Sequence, residues 1–161
     1  VYRHIFDAAK NLNPSFVAHV RTHRVTTDGS VSRMGIRATP IRLLHGKMPI
    51  LGWRFDAVDA SGAALNDVPG PFPFAWCTDC SAIPPESWPR LEGLRHLFLD
   101  MLRPRSHPTH FCLDESLAVA EKVAAKQTWL IHMRHDVAHA ALEASLPSGI
   151  APAYDGLVVS G

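Results

Sequence analysis

Two short apolar runs with an amphipathic stretch between them set the strongest limit on how this chain can fold. Residues 96–101 (HLFLDM) and 128–132 (TWLIH) are hydrophobic segments of strand length. Strands covered on both faces read this way, whereas a strand with one wet face alternates. Between them, 114–126 carries apolar residues at 113, 117, 120 and 124, a helical spacing, with acids at its start and lysines toward its end. That charge order suits the helix dipole. Strand, helix and strand in succession call for a layered α/β arrangement.

The same signals extend both ways. Asp136 can cap a helix over 136–145 that Pro147 and Gly149 end, and 156–159 (GLVV) reads as a last strand. Upstream the chain is β-rich. Strands are expected at 15–20, 31–37, 41–44 and 50–58, separated by turn signals such as Asp28-Gly29 and His45-Gly46. Residues 59–73 form a Gly/Pro-rich loop, and 74–78 a short apolar strand ending at Asp79. Prolines at its start and glycine at its end mark a short helix over 84–93. With no internal repeat, the expectation is one mixed α/β domain over 1–161.

Composition narrows the function. A chain of 161 residues with 47% hydrophobic content can bury a substantial core. A formal net charge of +1 gives no long-range steering toward nucleic acid or an anionic membrane, so neither is an expected partner. No apolar run is long enough to cross a bilayer. Three cysteines argue against a disulfide framework and make a reducing cytoplasm the expected location. Ten histidines raise the prior for a metal site without locating it.

Three polar residues share one kind of position. His45, Asp79 and His132 each lie at or just after the end of an apolar strand. In layered α/β folds, ligands gather outside the carboxyl ends of strands. Imidazole and carboxylate suit zinc, manganese or iron. Taken singly, each is more often a solvated turn residue.

Segments 40–55 (PIRLLHGKMPILGWRF), 75–81 (AWCTDCS), 107–119 (HPTHFCLDESLAV) and 128–158, which closes on AYDGL, shift that balance. Together they resemble the C-terminal half of a metallo-β-lactamase-fold hydrolase, an αββα sandwich. The nearest branch is the one containing phosphoribosyl 1,2-cyclic phosphate phosphodiesterase. The similarity runs from about residue 31 to the end, and the 22-residue step from His110 to His132 matches the spacing of that family's last two site histidines. The resemblance implies two divalent cations, zinc or manganese. His45 would bind one, Asp79 would bridge both, and His132 would bind the second. A metal-bound hydroxide would attack the phosphorus of a small cyclic phosphate ester. His110 would stabilise charge or donate a proton. The segment MLRPRSHPTH itself adds Arg103, Arg105 and His107, which read as an anion site at the mouth or, for each arginine taken singly, as a solvated basic loop. His135 would orient a ligand through its ring N–H.

The resemblance also has departures. The family's H-x-H-x-D-H signature is absent from this sequence, which starts at Val1. The expectation is therefore part of a longer protein, with little hydrolysis and partial metal occupancy from these residues alone, and with apolar surface left open. Cys112 stands where a serine would cap a helix with Glu115, so that cap should be weaker. Cys77 and Cys80 are expected to be structural, His139 to lie on an exposed helix face, and Trp53, Trp88 and Trp129 to pack in the core. Tyr154-Asp155-Gly156 reads as a turn before the last strand. Two other readings stand beside the phosphodiesterase: a non-enzymatic binding or regulatory module with a degenerate metal site, and an RNA-processing nuclease of the same fold. A small phosphate ester is the expected partner, and a homodimer is allowed.

Overall fold

The computed structural model describes residues 23–66 and 68–160. Within them one seven-stranded sheet runs in sequence order: β1 (Val31–Arg33), β2 (Ile36–His45), β3 (Met48–Ala57), β4 (Phe74–Cys77), β5 (His96–Asp100), β6 (Gln127–Ile131) and β7 (Ile150–Pro152). A 3-10 helix (Pro85–Leu91) joins β4 to β5, α1 (Leu113–Val123) joins β5 to β6, and α2 (His139–Ser145) joins β6 to β7. Pairing is antiparallel from β1 to β4 and parallel from β4 to β7. The two apolar runs are thus adjacent parallel strands joined by their helix, and all five residues of β5 are buried.

Alternation along β4 and β5 sends side chains to opposite faces. Ala75, Cys77, Leu97 and Leu99 point with Ile41 and Leu43 into a core closed by Leu91, Leu94, Phe111 and Val119. The other face carries an aromatic ladder. Trp53 stands opposite Trp76, Trp76 opposite Phe98 and Phe98 opposite Trp129. Trp76 and Phe98 stack at 4.7 Å, as do Phe55 and Phe74. This face lies open, with Trp76 41% exposed over an apolar hollow of about 430 Å³. The tryptophans expected in the core are therefore only half-buried. Trp53 is on the open face, Trp88 packs against the core with the Lys122 ammonium over its ring, and Trp129 donates its indole N–H to His96.

Several boundaries move. The strand expected at 15–20 lies outside the described residues. The one at 31–37 breaks at Met34-Gly35, where both residues take positive φ and turn β1 into β2. β2 and β3 form a hairpin of two ten-residue strands, longer than 41–44 and 50–58, because backbone pairing continues past the apolar stretches. The helix at 84–93 is a 3-10 helix with Pro89 inside it. Asp136 caps nothing. It pairs with Arg134 at 3.3 Å, and α2 begins three residues later at His139. Residues 156–159 are not a strand, since the chain turns there with Leu157 N–H donating to Tyr154 O. β7 comes earlier, and its three residues are too few to show periodicity. No helix among the described residues is long and apolar enough to cross a membrane.

Candidate metal centre

The carboxyl ends of β2, β4, β5 and β6 bring four histidines and two carboxylates together. His45 is the last residue of β2, Asp79 follows β4 by two residues, Asp100 closes β5, and His132 follows β6 directly. Backbone staples set the approach. Ser81 N–H donates to Leu44 O, Gly46 N–H to the Ser81 hydroxyl, and Phe111 N–H to Cys80 O. Gly46 has φ 61° and sits where a Cβ would come within 3.0 Å of Thr109 Cγ2. Its missing side chain lets the HPTH segment settle on the β2–β3 turn and carries His110 beside His45.

Ligand-capable atoms of Asp79, His110 and His132 all lie within 4.8 Å of one another. His132 Nε2 is 2.9 Å from Asp79 Oδ1. The His110 ring packs between two others, its centroid 4.6 Å from His45 and 4.9 Å from His132, both edge-on. His107 approaches it at 5.1 Å. His110 Nδ1 donates to Asp100 Oδ2 at 3.0 Å, which leaves His110 Nε2 for the cluster. Asp100 is fully buried, and the same oxygen accepts Cys80 N–H at 2.9 Å. Burial pushes the Asp100 carboxyl above its ordinary range, against the pull of the His110 and Cys80 hydrogen bonds. Desolvation, with Arg103, His110, His45 and Arg134 nearby, holds His107 below the usual histidine range.

The other residues singled out in the sequence are placed as follows. Arg103 is turned into its own loop, donating to Arg105 O and Ser106 O, and Arg105 is exposed. His135 is exposed and makes no side-chain hydrogen bond found among the described residues. His139 does not stand on an exposed helix face. It opens α2, its Nε2 is buried without a partner, and its ring lies edge-on to Tyr154 at 6.1 Å. Cys77 and Cys80 are buried free thiols, and burial pushes Cys77 up to about 12. Asp100 was not singled out, although an acid closing the run HLFLD is the same strand-end signal that marks Asp79 and His132.

The donor set fits a divalent cation. Two imidazoles and a carboxylate are borderline-hard ligands suited to zinc or manganese. Bonds near 2.0–2.1 Å in a tetrahedron imply ligand edges of about 3.3 Å. The 2.9 Å between His132 Nε2 and Asp79 Oδ1 needs only a small opening to match. His45 Nδ1, buried without a partner at the same strand end, is a further candidate donor.

Comparisons with known proteins bear on the family and the fold. Residues 1–133 match the family model described as the beta-lactamase superfamily domain. A diphosphatase from the PhnP family is 38% identical in sequence and superposes with a TM-score of 0.73 over 86% of this chain and 48% of its own. YhfI of Bacillus subtilis, a metallo-beta-lactamase fold protein, is 16% identical with a TM-score of 0.67, over 89% of this chain and 57% of its own. That likeness shows the fold. An octanoyltransferase of Porphyromonas gingivalis is 30% identical over 123 residues, which is 73% of this chain and 21% of that protein. The chain thus spans about half of these solved structures and about a fifth of that curated relative. With its residues 1–133 matching the family model, the chain belongs to the beta-lactamase superfamily domain family, and its seven-stranded mixed sheet has the metallo-β-lactamase fold.

Proposed function

We propose that this chain carries part of the active site of a metal-dependent hydrolase acting on a small phosphate ester, a phosphodiesterase-type activity. The observation that carries the reading is the convergence of Asp79, His110 and His132 within 4.8 Å at the strand ends. The 38% identity to a PhnP-family diphosphatase supports the phosphoryl chemistry. Asp79 and His132 would hold the cation, with His45 adjoining. A second cation of a dinuclear zinc or manganese centre would draw its remaining ligands from beyond this group. A divalent ion bound there supplies Lewis-acid polarisation of phosphoryl oxygen and activation of water.

The remaining steps belong to the chain. Asp100 accepts the Nδ1–H of His110, which fixes the ring's orientation and turns Nε2 toward the cluster. A proton carried on Nε2 would face the cluster, placed for donation to the departing oxygen or for stabilising charge on the phosphoryl group. His107, held below the usual histidine range by desolvation and then by nearby cations, can offer its ring N–H to an anion. Arg103 braces the loop that presents His107, and Arg105 remains free to meet substrate.

A second role for His110 rests on the same convergence. Its Nε2 is free and its Nδ1 is backed by a buried carboxylate, the arrangement common behind metal-ligating imidazoles. Equilibrium dialysis against zinc and manganese separates the two. Asp79→Asn and His132→Ala should each weaken metal binding at least about tenfold, with His135→Ala unchanged. If His110→Ala weakens binding equally, His110 is a ligand; if it spares binding, His110 acts on substrate. Metal uptake by the parent chain that does not fall in Asp79→Asn or His132→Ala would overturn the assignment.

A further inference from the structure

Tyr154 is not used by the chemistry above, and its placement is unusual for a turn residue. β6 and β7 run parallel with Leu130 opposite Pro152, and Ala153 N–H donates to Leu130 O at 2.8 Å. Two residues past this matched pair, the chains present His132 and Tyr154. Tyr154 therefore leaves the sheet at the end where Asp79, His110 and His132 gather. Its backbone is fixed, because Leu157 N–H donates to Tyr154 O across a tight turn that Gly156 closes at φ 91°. Its ring is braced edge-on by His139, at 6.1 Å and 79°. Yet the residue is 58% exposed and belongs to neither core cluster.

A large aromatic on a fixed turn, with His139 against one edge and the rest left open, is poor packing and a good platform. Aromatic faces stack on planar rings whatever their hydrogen-bond pattern, and a pre-set ring loses little entropy on binding. We propose that Tyr154 is a substrate-recognition residue which stacks on a planar ring carried by the phosphate ester, so that the site favours nucleotide-like esters over purely sugar phosphates. The proposal rests on the phosphate-ester reading and narrows it. Phosphate sits at the histidine and carboxylate cluster, and the ring lies toward β7.

The test compares adenosine 5′-monophosphate with ribose 5-phosphate, which differ by the base, using calorimetric binding to the whole chain with and without manganese. The parent chain and Tyr154→Phe should bind the nucleotide roughly tenfold tighter than the sugar phosphate, the scale of one stacked base. In Tyr154→Ser that ratio should fall to about one while ribose 5-phosphate affinity holds; near-ultraviolet circular dichroism checks the fold. Equal affinity for both ligands in the parent chain, or an undiminished preference in Tyr154→Ser, overturns the role of Tyr154 and leaves the hydrolase reading standing. If neither ligand binds, with or without metal, both ideas fall.

Discussion

Replacing Asp100 with alanine removes one acceptor and leaves two donors without a partner. Asp100 Oδ2 takes Cys80 N–H at 2.9 Å and His110 Nδ1–H at 3.0 Å, in a residue with no solvent exposure. Leaving a buried donor unpaired costs about 1–3 kcal/mol, so two give about 2–6 kcal/mol. Two effects pull the figure down. The His110 side chain keeps 12% exposure and can partly rehydrate, and the substitution removes a carboxyl whose ionised form burial disfavours. The expected loss is therefore about 2–4 kcal/mol, large against a typical domain stability of about 5–15 kcal/mol. Asp100→Asn keeps one carbonyl oxygen and should lose about half as much. Urea unfolding reads these values as shifts in midpoint at constant slope. The His110 share follows from a double-mutant cycle. On a His110→Ala background, Asp100→Ala strands only Cys80 N–H, so the coupling should be about 1–3 kcal/mol. A coupling near zero would show that the Asp100–His110 bond carries no free energy, and the positioning role assigned to Asp100 would go with it.

Gly52→Ala tests the close approach of β2, β3 and β4. A Cβ there would lie 2.7 Å from Leu43 Cδ1 and 2.8 Å from the Trp76 carbonyl oxygen. The leucine can move but the β4 backbone cannot, so a loss of about 1–3 kcal/mol is expected, and an unchanged melting temperature would refute the packing argument. The buried thiols give a pH test. Cys77 titrates near 12 in the fold against an ordinary 9.0, so the folded state holds this proton more tightly. Its contribution to stability is complete below pH 9 and declines as pH rises toward 12. Urea midpoints between pH 8 and 10 should fall more steeply in the parent than in Cys77→Ala, and equal slopes would contradict the assignment.

Strand ends were the legible part of the sequence. Apolar runs closing on a polar residue located β4, β5 and β6, and with them Asp79 and His132, because burial on both faces leaves a composition signal that local reading detects. Asp100 shows the limit of that rule. It met the same criterion, but what marks it is its pairing with His110, a contact that only the settled HPTH segment creates. The start of α2 departs from its sequence signal for a related reason. Asp136 is a good cap in isolation, but here it pairs with Arg134, whose carbonyl also accepts Val137 N–H in a turn, and the helix starts from Ala138 instead. GLVV has strand composition but pairs with no strand among the described residues, whereas Ile150–Pro152 has a partner and almost no composition signal. Pairing, which sequence patterns do not carry, decided both.

The backbone at Asp79 and His132 shows how a sheet can bring these two side chains together. Their strands, β4 and β6, are not neighbours; β5 lies between them. Strands sit about 4.8 Å apart, so straight continuations of β4 and β6 would end roughly 10 Å apart. Both residues instead take the left-handed conformation, at φ 55° and 64°. Each such non-glycine residue costs about 1–2 kcal/mol. The conformation is not by itself a mark of function, since exposed Met34 adopts it in a hairpin turn and Ala124 at the end of α1. At Asp79 and His132 it ends two strands abruptly and turns the side chains across the end of β5, until Nε2 and Oδ1 are 2.9 Å apart. The residue beneath that crossing is Asp100, the last of β5, which holds His110 beside the pair. The middle strand thus supplies the brace and its flanking strands supply the ligands, so the strain at Asp79 and His132 is the local cost of closing the cluster over β5.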